Sequence, residues 1–319
     1  MRAPLLAVAC CLLRLTVAAA VGLEVALERD LAPRLVARTN TSSSSVLNPR
    51  QNLTAPGNGR GIQSGPQLRL LCAGDSITAG TFSETDGGDG NGYRLRLRDD
   101  LSADRVVFAG TETAPNGTMN DGFFAAWPGK TIKFITDNIG PSLQQRPNVI
   151  LLHAGTNDMN PDPAISTEGN NPAEAVKRLG VLVDRMVETC PDAVVLVAMI
   201  INTCNETQAP ATQEFQRQIP DMVRQRFEDG RRVLAANITS FPSDQLRDCI
   251  HPNNDGYRLL GDYWSDFVRQ VPEDWLHDPE EANNAGEPSA SASMRLAPLP
   301  SMWPMTVAAA IVAGSIVGW

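Results

Sequence analysis

Histidine is scarce in this chain. Its 319 residues hold three, with six cysteines, and no spacing of the two types matches a zinc site. Basic clusters are missing too. Lys and Arg number 27 against 36 Asp and Glu, a formal net charge of −9, which leaves no electrostatic footprint for nucleic acid. No internal repeat is visible. The apolar tail Met305–Val317 is too short for a comfortable membrane span of roughly 20 residues. What remains is a globular composition, 42% apolar and 20% charged, long enough for one large domain or two ordinary ones.

The two ends differ from the middle. Residues 1–22 carry Arg2, the apolar run Leu5–Leu13 and the small residues Val17-Ala18-Ala19-Ala20, interrupted by Arg14. This is the pattern of a secretory signal peptide, with an uncleaved anchor as the alternative. Residues 23–66 are rich in Ser, Pro and Gly and poor in large apolar side chains, as in a disordered propeptide or linker. Residues 273–319 run from an acidic, polar stretch, through the small residues Ser289–Ser293, to the apolar tail Met305–Val317. Small residues, a spacer and a short terminal apolar tail direct attachment of a glycolipid (GPI) anchor. Ser289-Ala290-Ser291 or Asn284-Ala285-Gly286 offers the cleavage site, and a plain disordered tail is the alternative. The expected location is therefore extracellular, free or held at the cell surface.

Five Asn-x-Ser/Thr sequons, at Asn40, Asn52, Asn116, Asn205 and Asn237, fit a secreted glycoprotein. Cys10 and Cys11 leave with the signal. Of the other four, Cys204 and Cys249 each follow a strand at its carboxyl end, so a bridge between them is expected. Cys72, inside a strand, and Cys190, closing a helix at the opposite edge, are expected to be buried free thiols.

Between Leu68 and Pro272 short apolar runs alternate with helical stretches. Strands are predicted over Leu68–Ala73, Arg105–Ala109, Asn148–His153, Ala193–Ile201 and Arg232–Ala236. Helices are predicted over Tyr93–Leu101, Ile132–Leu143, Pro172–Thr189, Ala211–Glu228 and Asn253–Val271. Val176, Leu179, Val183, Met186 and Val187 recur at helical spacing in the third of these. The alternation predicts an α/β domain with a five-stranded parallel sheet covered on both faces.

The first strand ends in Gly74-Asp75-Ser76. Alone, that tripeptide reads as an ordinary turn or helix N-cap, and it is not the Gly-x-Ser-x-Gly nucleophile elbow. The third strand ends in Gly155-Thr156-Asn157-Asp158, and Asp248-Cys249-Ile250-His251-Pro252 follows the fifth. Asp and His three residues apart can meet across one turn, leaving the second ring nitrogen for a serine hydroxyl. A serine nucleophile needs such a base, and the base needs an orienting carboxylate. Ser76, His251 and Asp248 can fill these roles. The oxyanion then needs donors, which the Ser76 N–H, a glycine N–H after the second strand and the Asn157 amide can supply. His153 lies inside a strand and His277 beyond the domain, so neither fits as the base.

Gly-Asp-Ser, a mid-chain glycine, Gly-x-Asn-Asp and Asp-x-x-His-Pro, in this order, resemble the four blocks of the SGNH (GDSL) hydrolases. Asn91-Gly92-Tyr93-Arg94, the stretch Leu151–Met159, His251-Pro252-Asn253 and Gly256-Tyr257 resemble its secreted fungal esterases of the acetylxylan-esterase type. The resemblance covers roughly residues 68–270 of a domain read over 67–272. It implies a flavodoxin-like, three-layer αβα sandwich that hydrolyses esters without metal or cofactor. In it Ser76 is the nucleophile, His251 the base and Asp248 its partner, with Ser76, Gly129 and Asn157 forming the oxyanion hole. Asp75 is read as structural, tying down the turn. One block departs from that branch. His-Pro-Gly-Trp is usual there, and here Trp127-Pro128-Gly129-Lys130 puts a cation where an aromatic lines the pocket.

The expected activity is hydrolysis of short acyl esters, acetyl foremost, on carbohydrate, by a monomer. The alternatives are a lipase or lysophospholipase, which the lack of a long apolar lid disfavours, and a catalytically silent carbohydrate-binding protein of the cell surface.

Overall fold

The computed structural model describes residues 53–54 and 65–281. The signal-peptide and anchor readings, and the sequons Asn40 and Asn52, lie outside the described residues. The strands are β1 (Leu53–Thr54), β2 (Leu68–Gly74), β3 (Val106–Ala109), β4 (Ala125–Ala126), β5 (Val149–His153), β6 (Val194–Met199) and β7 (Val233–Asn237). The helices are α1 (Ser76–Ala79), α2 (Arg94–Asp100), α3 (Ile132–Asn138), α4 (Gly140–Leu143), α5 (Pro172–Thr189), α6 (Ala209–Glu228) and α7 (Asn254–Arg269).

The sheet order is β1-β7-β6-β5-β2-β3, every pairing is parallel, and β4 adds two residues beside the end of β2. The five longer strands are the five read from the apolar runs. A helix follows each of β2, β5 and β6, as parallel crossovers require. The two short strands carry no sequence signal, being only two residues each, and β1 sets two residues of the segment read as a disordered propeptide or linker beside β7.

Side chains alternate along each strand, so the sheet feeds two cores. Leu71, Ile150, Leu152, Val195 and Val197 pack under α3 to α6, while Leu70, Cys72, Leu151, Leu196 and Leu234 pack under α2 and α7. The result is an αβα sandwich with strands buried on both faces. Helix α5 has the predicted bounds, begun by Asn171, whose side chain accepts from the Ala173 and Glu174 N–H groups. The single helix predicted over 132–143 is two, α3 and α4, separated at Ile139. Pro141 explains the break: it has no N–H for the helical ladder and is instead accommodated in the first turn of α4.

Strand order makes β2 the turning point of the topology, because the chain moves outward to β3 and then returns across β2 to β5. Ligands in open parallel sheets sit beyond the carboxyl ends of strands at such a point. Gly74 of β2 is level with His153 of β5, so the turns after these two strands lie side by side. Residues 273–281, read from sequence as the start of a polar spacer, are packed in the structure. Leu276 is buried, and the Asn148 amide donates to the His277 carbonyl at 2.7 Å.

Candidate active site

The first turn follows from Gly74 and Asp75. A Cβ at Gly74 would strike the His153 carbonyl and Thr78, so only glycine lets β2 run this close to β5. Asp75 is buried and N-caps α1, its Oδ1 accepting from the Ile77 N–H at 3.1 Å. That supports its structural reading. Burial pushes the Asp75 carboxyl up to about 6, against the pull of the Ile77 N–H and of His251. Ser76 becomes the first residue of a one-turn helix. Its backbone N–H has no acceptor among the described residues, as expected at a helix start.

The second component comes from the loop between β7 and α7. Arg247 N–H donates to the His251 carbonyl at 2.8 Å, and Asn253 caps α7 by accepting from the Gly256 N–H at 2.8 Å. A disulfide joins Cys204 to Cys249, and the Cys249 carbonyl accepts from the Cys204 N–H at 3.2 Å and the Thr203 hydroxyl at 2.7 Å. Cys72 and Cys190 are buried free thiols.

This loop brings three separated residues into one line. His251 Nε2 lies 2.8 Å from Ser76 Oγ, and His251 Nδ1 lies 2.8 Å from Asp248 Oδ2. The other Asp248 oxygen accepts from the backbone N–H groups of His251 at 2.7 Å and Ile250 at 3.1 Å. Partial burial works to raise the Asp248 carboxyl. The bonds from the His251 backbone and ring, with that of Ile250, outweigh it and hold the group below the ordinary carboxylate range. An ionised Asp248 keeps the proton on Nδ1 and leaves Nε2 free to accept from the serine hydroxyl.

The oxyanion candidates meet the same turn less directly. Gly129 has φ +73°, open space around its Cβ position, and an N–H with no acceptor among the described residues. Asn157 donates one Nδ2 hydrogen to the Lys130 carbonyl at 2.9 Å, which braces the Gly129 loop and leaves the second hydrogen available. Asp158 was only a turn residue in the sequence. It is buried, accepts from the Ile132 N–H at 2.9 Å and from Arg178 Nη2 at 2.9 Å, and so fixes the start of α3 beside that loop. Its signal, an acid in a glycine turn, does not distinguish it from a surface residue. His153 stands apart from the triad. It is buried in β5, and its Nε2 accepts from the Ile201 N–H at 3.1 Å. Burial lowers it to about 4.

Beside the Ser76 turn lies a cleft of about 410 Å³. Trp127 forms part of its wall, so this chain supplies an aromatic two residues before Gly129, while Lys130 lays its ammonium 5.0 Å above the Phe134 ring. Phe82, missed at the sequence level, lines the same cleft and sets its ring edge-on to His251 with centroids 5.3 Å apart.

The family model described as GDSL-like Lipase/Acylhydrolase matches residues 72–259. Among curated proteins none matches the chain. A family 3 carbohydrate esterase from Talaromyces cellulolyticus is similar at 23% identity and a TM-score of 0.54, over 65% of this chain and 99% of the other. An acetyl esterase solved as a mutant with an acetate ion gives 23% identity and 0.53, over 66% and 100%. A family 3 carbohydrate esterase from Clostridium thermocellum gives 22% and 0.52, over 65% and 99%. At these identities the structures share the fold. The extent of the family match carries the assignment: the chain belongs to the GDSL-like lipase/acylhydrolase family.

Proposed function

We propose that this chain is a serine esterase that removes short acyl groups, acetyl foremost, from carbohydrate. The observation that carries the reading is the unbroken line from Asp248 through His251 to Ser76, with 2.8 Å at each step. Ser76 Oγ attacks the ester carbonyl as its proton passes to His251 Nε2, and Asp248 stabilises the resulting imidazolium. The oxyanion takes hydrogen bonds from the N–H groups of Ser76 and Gly129 and from the second Asn157 amide hydrogen. The alcohol leaves with the proton from His251, and Ser76 holds the acyl group as an ester. Water, deprotonated by the same Nε2, then attacks that ester. The tetrahedral adduct breaks to free Ser76, its oxygen regaining the proton, and a carboxylic acid.

The carbohydrate part rests on similar structures that include two carbohydrate esterases and an acetyl esterase, and on the aromatic cleft beside Ser76. We further infer an extracellular protein, glycosylated and attached through a C-terminal glycolipid. The Cys204–Cys249 bridge suits an oxidising compartment, and Asn205 is exposed, whereas Asn116 lines the cleft beside Ser76 and is left out of the glycosylated set.

An acyl-chain series from p-nitrophenyl acetate to p-nitrophenyl palmitate tests the activity. Turnover confined to short chains supports the reading. A preference for palmitate moves the protein to the lipases, and no turnover on any chain by the folded protein leaves a silent binder.

A further inference from the structure

Phe82 is an unusual residue to find where it stands. Its φ of +68° lies in the left-handed region that bulky side chains avoid, and it is 37% exposed. A glycine there would adopt the backbone without strain. The loop nevertheless pins the residue from both sides. Tyr257 donates its hydroxyl to the Thr81 carbonyl at 2.8 Å, and Asn254 Nδ2 donates to the Thr85 carbonyl at 2.8 Å. The Phe82 carbonyl accepts from the Thr85 N–H at 3.1 Å and its hydroxyl at 2.7 Å. Strain held this firmly, on an exposed apolar side chain at a site, points to a use for the side chain.

The ring has two neighbours. It meets His251 edge-on, and it forms one wall of the cleft that Phe124 and Trp127 also line. Charge in that cleft has one sign. Glu84 and Glu112 line it, and no Lys or Arg does. Such a site repels phosphate and carboxylate groups. Its volume of about 410 Å³ suits a small ligand, and Asn116 adds a polar rim group.

Resting on the esterase reading, we propose that this cleft receives the leaving alcohol of the ester as an uncharged sugar ring, and that Phe82 is the residue that selects it. The apolar faces of a pyranoside lie against aromatic rings while its hydroxyls reach the two carboxylates and Asn116. Phe82 thereby couples recognition to chemistry, since the ring that meets the sugar also packs against the base. Phosphate-bearing lipid headgroups are excluded by the same carboxylates.

The test compares the ratio of kcat/KM on xylose tetraacetate to kcat/KM on ethyl acetate, whose leaving group is too small to need the cleft. Phe82→Gly is expected to lower this ratio by about tenfold or more, mainly through KM on the sugar ester, as lost pocket contacts do. Its thermal midpoint should hold or rise, because glycine relieves the backbone. Phe82→Tyr should restore the ratio, and Phe82→Asn, which also tolerates this backbone, replaces glycine if that variant loosens the loop. An unchanged ratio would make Phe82 a structural filler. Wild-type preference for lysophosphatidylcholine over xylose tetraacetate would overturn the sugar assignment. Full turnover of ethyl acetate by folded Ser76→Ala would instead remove the esterase reading itself, so the two failures are distinguishable.

Discussion

The two ends of the parallel sheet are built on opposite plans. At the amino end, polar groups close on one another. Asn148 accepts from the Arg69 N–H at 2.8 Å and donates to the carbonyls of Gln67 and His277, both at 2.7 Å. Arg69 donates to the carbonyls of Gln145, Arg146 and Glu280, and the Gln67 N–H donates to Asp278 at 2.8 Å. At the carboxyl end, groups are held open. The N–H groups of Ser76 and Gly129 have no acceptor among the described residues, and Phe82, Asp86 and Cys249 hold left-handed backbones without being glycine, against Arg146 alone at the amino end among the described residues. One end invests its hydrogen bonds in stability and the other leaves donors for a reacting group, which is how a single sheet serves both purposes.

Substitutions should separate the two ends, and the largest effect belongs to the open one. His251→Ala is expected to cut ester turnover by about 10⁴-fold or more with little change in thermal midpoint, since nucleophile and base act as a unit. Steady-state kinetics beside a melting curve checks both halves. Asn157→Ala should lower kcat by about 10²–10³ with KM nearly constant, as for a lost transition-state donor. A raised KM with kcat untouched would reduce Asn157 to a brace for the Lys130 carbonyl.

The disulfide belongs to the open end but acts as a fastening. Replacing Cys204 and Cys249 together by Ser should lower stability by about 3–5 kcal/mol, the chain-entropy figure for a loop of this length. A urea titration reads it, and an unchanged midpoint would show that the loop holds without its bridge. At the closed end, Asn148→Ala orphans the Arg69 N–H and two carbonyls. It should cost about 2–3 kcal/mol in the same titration while leaving kcat/KM at the wild-type value.

The smallest effect is a pH slope, because two buried groups oppose each other. His153 is held near 4 against an ordinary 6.5, so its contribution is present above pH 6.5 and lost as pH falls toward 4. Asp75 is held near 6 against 3.8, so its contribution is full below 3.8 and lost as pH rises through 6. His153→Gln, which keeps an acceptor for the Ile201 N–H, removes the first and leaves the second. Stability of that variant should rise as pH falls from 6 to 4, relative to wild type, and an unchanged profile would show that His153 does not titrate in this range.

The difference between the two ends was only half legible in the sequence. Strands could be read because buried parallel strands need continuous apolar runs, and Val149–His153 or Val194–Met199 can be little else. Ser76 and Asn157 were legible because each lies just beyond a strand end, and Asp248 and His251 because their spacing of three lets them meet across one turn. Phe82 was not, since nothing in Thr-Phe-Ser announces a left-handed backbone that Tyr257 and Asn254 impose through bonds spanning 176 and 169 residues. Asp158 and Asn148 were invisible for the same reason. Their partners, Arg178 and Ile132 for one and Gln67 and His277 for the other, are set by the fold and not by local pattern.

The central claim is that Ser76 is the nucleophile and that its reactivity comes from His251. Intact-mass analysis after treatment with a fluorophosphonate measures this directly. The expected result is one adduct per chain, mapping to the peptide that contains Ser76, absent in Ser76→Ala and greatly slowed in His251→Ala. An unlabelled Ser76 in a protein that still turns over ester, or a single adduct on another residue, would contradict it.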